Sequence, residues 1–181
     1  MDEINDIMRR LNHKILTSFD DGETLIPADE ARIRRFEEEI SHRLPLTYRQ
    51  FLTKYGGTYL RNGIAELAVR LPRNEDLSVS FFFAFYGGVS PGRNTNDLSY
   101  NFRLIKDQLP SGVVPIAQTG GDDAYCLSCA NEARDSVYVY LPEGFEDEKP
   151  GDRLFQVAGS FLEFLRSLRT MSDEEANERY T

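Results

Sequence analysis

The sequence predicts an α+β domain, a largely antiparallel sheet with helices packed against it. Three observations predict this. Helix-period and strand-period stretches cluster along the chain instead of alternating regularly, which argues against a doubly wound sheet. Two β-rich runs, at 113–117 and 124–129, flank Gly120-Gly121-Asp122-Asp123, the pattern of a hairpin turn. The stretch Leu44-Pro45-x-x-Tyr48-x-x-Phe51-Leu52-x-x-Tyr55-Gly56-Gly57 places four apolar residues at i, i+3, i+4 and i+7, one apolar face of a helix. A chain of 181 residues is most simply one domain, 1–181, and long enough to bury a proper core.

The elements follow in order. Ile4, Ile7, Met8, Leu11 and Ile15 stand at helical spacing, so a first amphipathic helix is expected over 2–17. Asp20-Asp21-Gly22 breaks it. Asp29 caps a second helix with Ile33, Phe36, Ile40 and Leu44 as its buried stripe. Its neighbours Glu37, Glu38 and Glu39 are consecutive and read mostly as a solvated face. In the third helix Pro45 suits the first turn, where its missing N–H costs nothing, and Gly56 suits a left-handed stop. Period-two alternation then predicts strands over 65–71 and 77–85, joined as a hairpin. A loop from Gly87 leads to a helix carrying Leu98, Phe102, Ile105 and Leu109, ended by Pro110. Strands are expected at 113–117, 124–129 and 137–141, with a short apolar run at 154–158. The last helix opens on Ser160-x-x-Glu163, a capping box, and buries Phe161, Phe164, Leu165 and Leu168. The tail, 171–181, is polar and acidic and is expected to fray.

Composition narrows the function. A net charge of −9 argues against a nucleic-acid binder and suits a partner with a basic surface. The longest unbroken apolar run, 81–86, is too short for a membrane span. Met1-Asp2-Glu3 lacks the basic and apolar regions of a signal peptide, and two cysteines make no disulfide framework, so a cytoplasmic protein is expected.

Several patterns suggest chemistry and then fall short. Cys126 and Cys129 have CxxC spacing, but zinc needs two more ligands, and only His13 and His42 are present. On a strand, side chains three apart point to opposite faces, so the thiols diverge as ordinary buried cysteines. Gly87-x-x-x-x-Gly92-Arg93-Asn94 approximates a phosphate loop, yet Arg93 and Asn94 replace its lysine and hydroxyl, and Pro91 removes an N–H. No G-x-S-x-G surrounds a serine, and neither histidine has a visible Ser or Cys partner. Neither a catalytic set, a metal site nor a cofactor is expected. What remains are carboxylates: Asp122 and Asp123 at the hairpin tip, and Glu143, Glu146, Asp147 and Glu148 in one acidic loop.

The order of these pieces resembles the SUKH superfamily, which comprises fungal cell-wall-assembly regulators of the Knr type and many bacterial proteins. The resemblance is carried by Leu44, Pro45, Tyr48, Phe51, Gly56 and Gly57, then Pro115, Gly120 and Gly121, and finally Ser160 and Phe161. Ile33, Phe36-Glu37 and Ile40 match the opening helix, and Val137-Tyr138 a later strand. The match covers about 29–169, and its pieces lie on either side of 58–108. It implies an immunity protein that neutralises a cognate toxin by stoichiometric binding. The partner would be a basic, nuclease-type protein met by the six carboxylates above. The fungal relatives imply an alternative, a regulatory protein-interaction scaffold. An enzyme of unrecognised type is the third possibility.

Overall fold

A computed structural model describes residues 2–15, 26–65, 82–89, 96–118, 123–142 and 153–179. In chain order the first elements are α1 (Asp2–Arg10), β1 (Lys14–Ile15), β2 (Ile26–Pro27), α2 (Glu30–Ile40), α3 (Leu46–Tyr55), β3 (Thr58–Arg61) and β4 (Gly63–Ala65). Next come β5 (Phe82–Phe85), β6 (Gly88–Val89), α4 (Leu98–Ile105), β7 (Val113–Gln118), β8 (Ala124–Ser128) and β9 (Val137–Tyr140). The chain closes with β10 (Leu154–Ala158), α5 (Phe161–Ser167), β11 (Leu168–Thr170) and α6 (Asp173–Arg179). The fold is α+β. Among the described residues its main sheet has seven strands in the order β1-β3-β5-β7-β8-β9-β10, and every neighbouring pair is antiparallel. Two small ladders, β11-β4 and β2-β6, stand beside it.

Alternation along the strands gives the sheet two cores. Val114, Ile116, Tyr125, Leu127, Val137 and Val139 face the larger one, closed by α1, α2, α3 and α5. There Phe51 lies 4.8 Å from Phe85 and 5.1 Å from Phe161, ring centre to ring centre, and Tyr125 lies 4.9 Å from Phe164. These contacts join α3 and α5 to the sheet, and truncating Phe51 or Phe164 to Ala would cost about 3–5 kcal/mol. Val113, Ala124, Cys126 and Tyr140 face the smaller core, which is covered by Leu109 and the half-buried Ile105.

Local chemistry explains most boundaries. Asp29 Oδ1 accepts from Arg32 N at 2.8 Å and caps α2. Asp97 caps α4 through Tyr100 N, and Ser160 caps α5 through Glu163 N. At α3 the structure corrects two expectations. Pro45 is the capping residue rather than the first helical one, and Gly56 stops the helix without a left-handed turn, at φ −56°. Gly57 takes that conformation instead, at φ 76°. Gly56 is needed for space, because a Cβ there would meet Gly87 O at 2.8 Å and Leu52 O at 2.9 Å.

The first helix is also shorter than expected. It ends at Arg10, Asn12 turns the chain at φ 47°, and Lys14–Ile15 joins the sheet beside β3. Asn reaches that region through its short polar side chain, so the helical spacing of Ile15 does not decide its state. Ile4, Ile7, Met8 and Leu11 are buried, and Arg10 donates to Leu168 O at 3.1 Å, so α1 belongs to the core. Most of the predicted 65–71 and 77–85 hairpin lies outside the described residues. At its described ends, Ala65 pairs with Leu168, and β5 sits between β3 and β7. Leu168 is buried as expected, but on β11 rather than on the helix.

The tail from 171 is not frayed through its described part. Ser172 Oγ accepts from Glu175 N at 3.1 Å, and Glu175 Oε2 accepts from Ser172 N at 2.8 Å. This reciprocal cap starts α6. Met171 and Ala176 are buried, and Asn62 donates to Asp173 at 2.8 Å.

Candidate functional site

The buried carboxylate among the described residues is Glu37, and it is not on the solvated face that the Glu37-Glu38-Glu39 run suggested. It stands one turn after Ile33 and is 4% exposed, while Glu38 and Glu39 turn outward. Arg43 Nη1 donates to it at 2.7 Å, Arg49 Nη1 at 2.9 and 3.0 Å, and the backbone N–H of Leu44 at 3.0 Å. Arg49 donates in addition to Glu30. These charged and backbone donors occupy both oxygens of the carboxylate. It locks α2 to the loop and to α3.

Between α2 and α4 lies an open cleft of about 660 Å³, floored by Ile33, Phe36 and Leu98. Part of its charged rim is paired: Arg103 Nε lies 2.5 Å from Glu39, and Arg32 lies 3.6 Å from Asp97. Arg35 and Glu38 also line it, with Arg35 Nε donating to Ala31 O at 3.4 Å. Such a concavity can receive an apolar side chain. The Gly87 to Asn94 pattern falls largely outside the described residues. Its described end, Gly87, has φ 103° and donates to Asn96 O at 2.6 Å.

The two cysteines are free and sit in different cores, Cys126 in the smaller and Cys129 in the larger. Burial pushes both thiols up, that of Cys129 to about 12, so neither is a thiolate at neutral pH. His13 Nδ1 lies 2.8 Å from Met8 O, and its ring meets Tyr55 edge-on at 5.0 Å. His42 Nδ1 lies 2.9 Å from Ile40 O. Among the described residues, no group of three or more His, Cys, Asp or Glu is placed to hold a metal ion.

Of the acidic residues singled out from sequence, Asp123 is described. It is half-buried immediately before β8, and its charge contributes to raising the Tyr125 hydroxyl pKa. Asp122, Glu143, Glu146, Asp147 and Glu148 lie outside the described residues, as do Gly120 and Gly121. Leu44, Tyr48, Phe51 and Phe161 are fully buried, and Pro115 pairs with Cys126 beside a register shift in β7. Sequence reasoning missed two exposed features. Leu104, 58% exposed, and Tyr100 share the outer face of α4, and β10 is an edge strand of the main sheet.

Fold and site together define an α+β domain whose histidines, cysteines and buried carboxylate are all engaged within it. No helix among the described residues is long and apolar enough to cross a membrane. The chain belongs to the SMI1 / KNR4 family (SUKH-1), whose model matches residues 27–167. It is similar to the SPbeta prophage-derived uncharacterized protein YokK of Bacillus subtilis (strain 168). The two are 26% identical over 148 residues, covering 76% of this chain and 72% of that protein.

Proposed function

We propose that this protein is an immunity protein that neutralises a cognate toxin of nuclease type by one-to-one binding in the cytoplasm. The observation that carries the reading is SMI1 / KNR4 membership in a chain of net charge −9 whose buried carboxylate is spent on the fold. A nuclease site is basic because it must hold phosphates. Carboxylates offered in their place compete for the same donors, and long-range attraction raises the rate of encounter. Asp122, Asp123, Glu143, Glu146, Asp147 and Glu148 are the proposed contacts. The prophage origin of a relative supports a gene carried on mobile DNA.

Co-expression with a candidate toxin domain, sought first among the products of the neighbouring genes, tests the reading. Rescue of growth and co-purification of the two chains at equal amounts are expected. Capture of host signalling proteins in place of the toxin would favour a regulatory scaffold.

A further inference from the structure

Among the described residues, β10 ends the main sheet opposite β1 and pairs with β9 alone. The backbone N–H of Leu141 donates to the carbonyl of Arg153 at 3.2 Å, so the backbone groups of Arg153, and by alternation those of Phe155, point toward β9. Those of Leu154 and Gln156 point outward, where no described residue meets them. Edge strands are ordinarily blunted by lysine, proline, inward charge or cover. The segment Leu154-Phe155-Gln156-Val157-Ala158 has none of these residues. Its one such device is the register shift between Gln156 and Ala158, which ends the regular ladder. Gln156 is exposed, and Leu154 is half-buried with Tyr138 and Ile105 against the smaller core. A backbone edge unpaired among the described residues therefore borders a half-exposed apolar margin.

We infer that this edge takes up an extended, cationic segment of a protein partner as an eighth strand. Charge selects the occupant. The chain carries −9 overall, and in sequence the strand follows the five acids Glu143, Glu146, Asp147, Glu148 and Asp152 with two cations, Lys149 and Arg153, among and after them. A second copy would bring the same −9 to the same short ladder, whereas a cationic strand gains the ladder and attraction together. The inference rests on the proposed function and names where that partner docks.

The test uses the full chain with the candidate toxin domain used to test the proposed function. In the complex, amide exchange at Leu154 and Gln156 slows at least about tenfold, as for newly bonded N–H groups. Gln156→Pro removes an outward N–H that β9 does not use and weakens binding by about 100-fold. Gln156→Lys keeps the backbone, repels a cationic strand and weakens binding by about tenfold. It keeps the inference testable if the proline variant fails to fold. A complex that leaves both amides unprotected and binds the lysine variant like wild type overturns the inference and spares the proposed function. Absence of any complex overturns both. A dimer of the free protein that Gln156→Pro dissolves assigns the edge to a second copy and overturns the inference.

Discussion

Arg49 Nη1 on α3 lies 2.9 and 3.0 Å from the two carboxylate oxygens of Glu37 on α2. This pair fixes the crossing of the two helices, and Arg43 and the Leu44 N–H complete the anion's shell. Taking such charges out of water is costly, so the pair stabilises little against apolar replacements of similar size. Losing Arg49 still costs stability, because it leaves the buried Glu37 with Arg43 and the Leu44 N–H alone. Arg49→Ala should therefore cost about 1–3 kcal/mol, while Glu37→Leu with Arg49→Leu should cost less. Urea unfolding of both variants measures this. A double variant as unstable as the single one would show that the pair itself supplies net stability.

Gly56 predicts a second, independent sensitivity. Its φ of −56° is open to any residue, so alanine meets no backbone penalty there. The added Cβ collides with two carbonyl oxygens, on Gly87 and Leu52, neither of which is a flexible side-chain tip. Gly56→Ala is expected to destabilise by about 1–3 kcal/mol, as overpacking does. Unchanged thermal stability would mean that the α3 end and the strand beyond Phe85 separate freely.

Stability should fail on the alkaline side. Cys126 and Cys129 have an ordinary thiol value of 9.0, and burial raises both, Cys129 to about 12. The unfolded chain loses these protons first. The contribution is thus intact below about pH 9 and lost as pH climbs from there toward about 12, at up to about 1.4 kcal/mol per thiol per pH unit. Tyr48, Tyr86 and Tyr125, raised chiefly by burial, add to the fall above 10.0. Urea midpoints from about pH 7 to about pH 11 should stay level and then drop. Cys126→Ala with Cys129→Ala should soften the first part of the drop; an identical slope in that variant would acquit the thiols.

Charge at the proposed contacts is tested by kinetics. With Glu146→Lys and Asp147→Lys, association with the toxin domain is expected to slow and to lose much of its salt dependence, since steering is screened beyond about 10 Å at 0.1 M salt. The fold should be unaffected. Superimposable curves of rate against ionic strength would remove these residues from the interface.

Where local chemistry decides, the structure was legible from sequence. Asp29 and Ser160 announce their helices, and the run around Gly120-Gly121 separates two real strands. Ser172-x-x-Glu175 carries the same signal as Ser160-x-x-Glu163, and reading it would have foretold α6 in place of a frayed tail. Glu37 stands on the stripe of Ile33, Phe36 and Ile40, but three consecutive glutamates conceal that one of them turns inward toward arginines supplied later in the chain. The pairing of Ala65 with Leu168 and the edge position of β10 depend on distant segments meeting, which no local spacing encodes.

Titration of the toxin domain's nuclease activity with this protein tests the central claim most directly. Neutralisation by binding predicts that activity falls in proportion to the protein added, reaches zero at one equivalent and returns when the complex is dissociated. Full activity at a large excess of the protein, or progressive loss at far less than one equivalent, would contradict it.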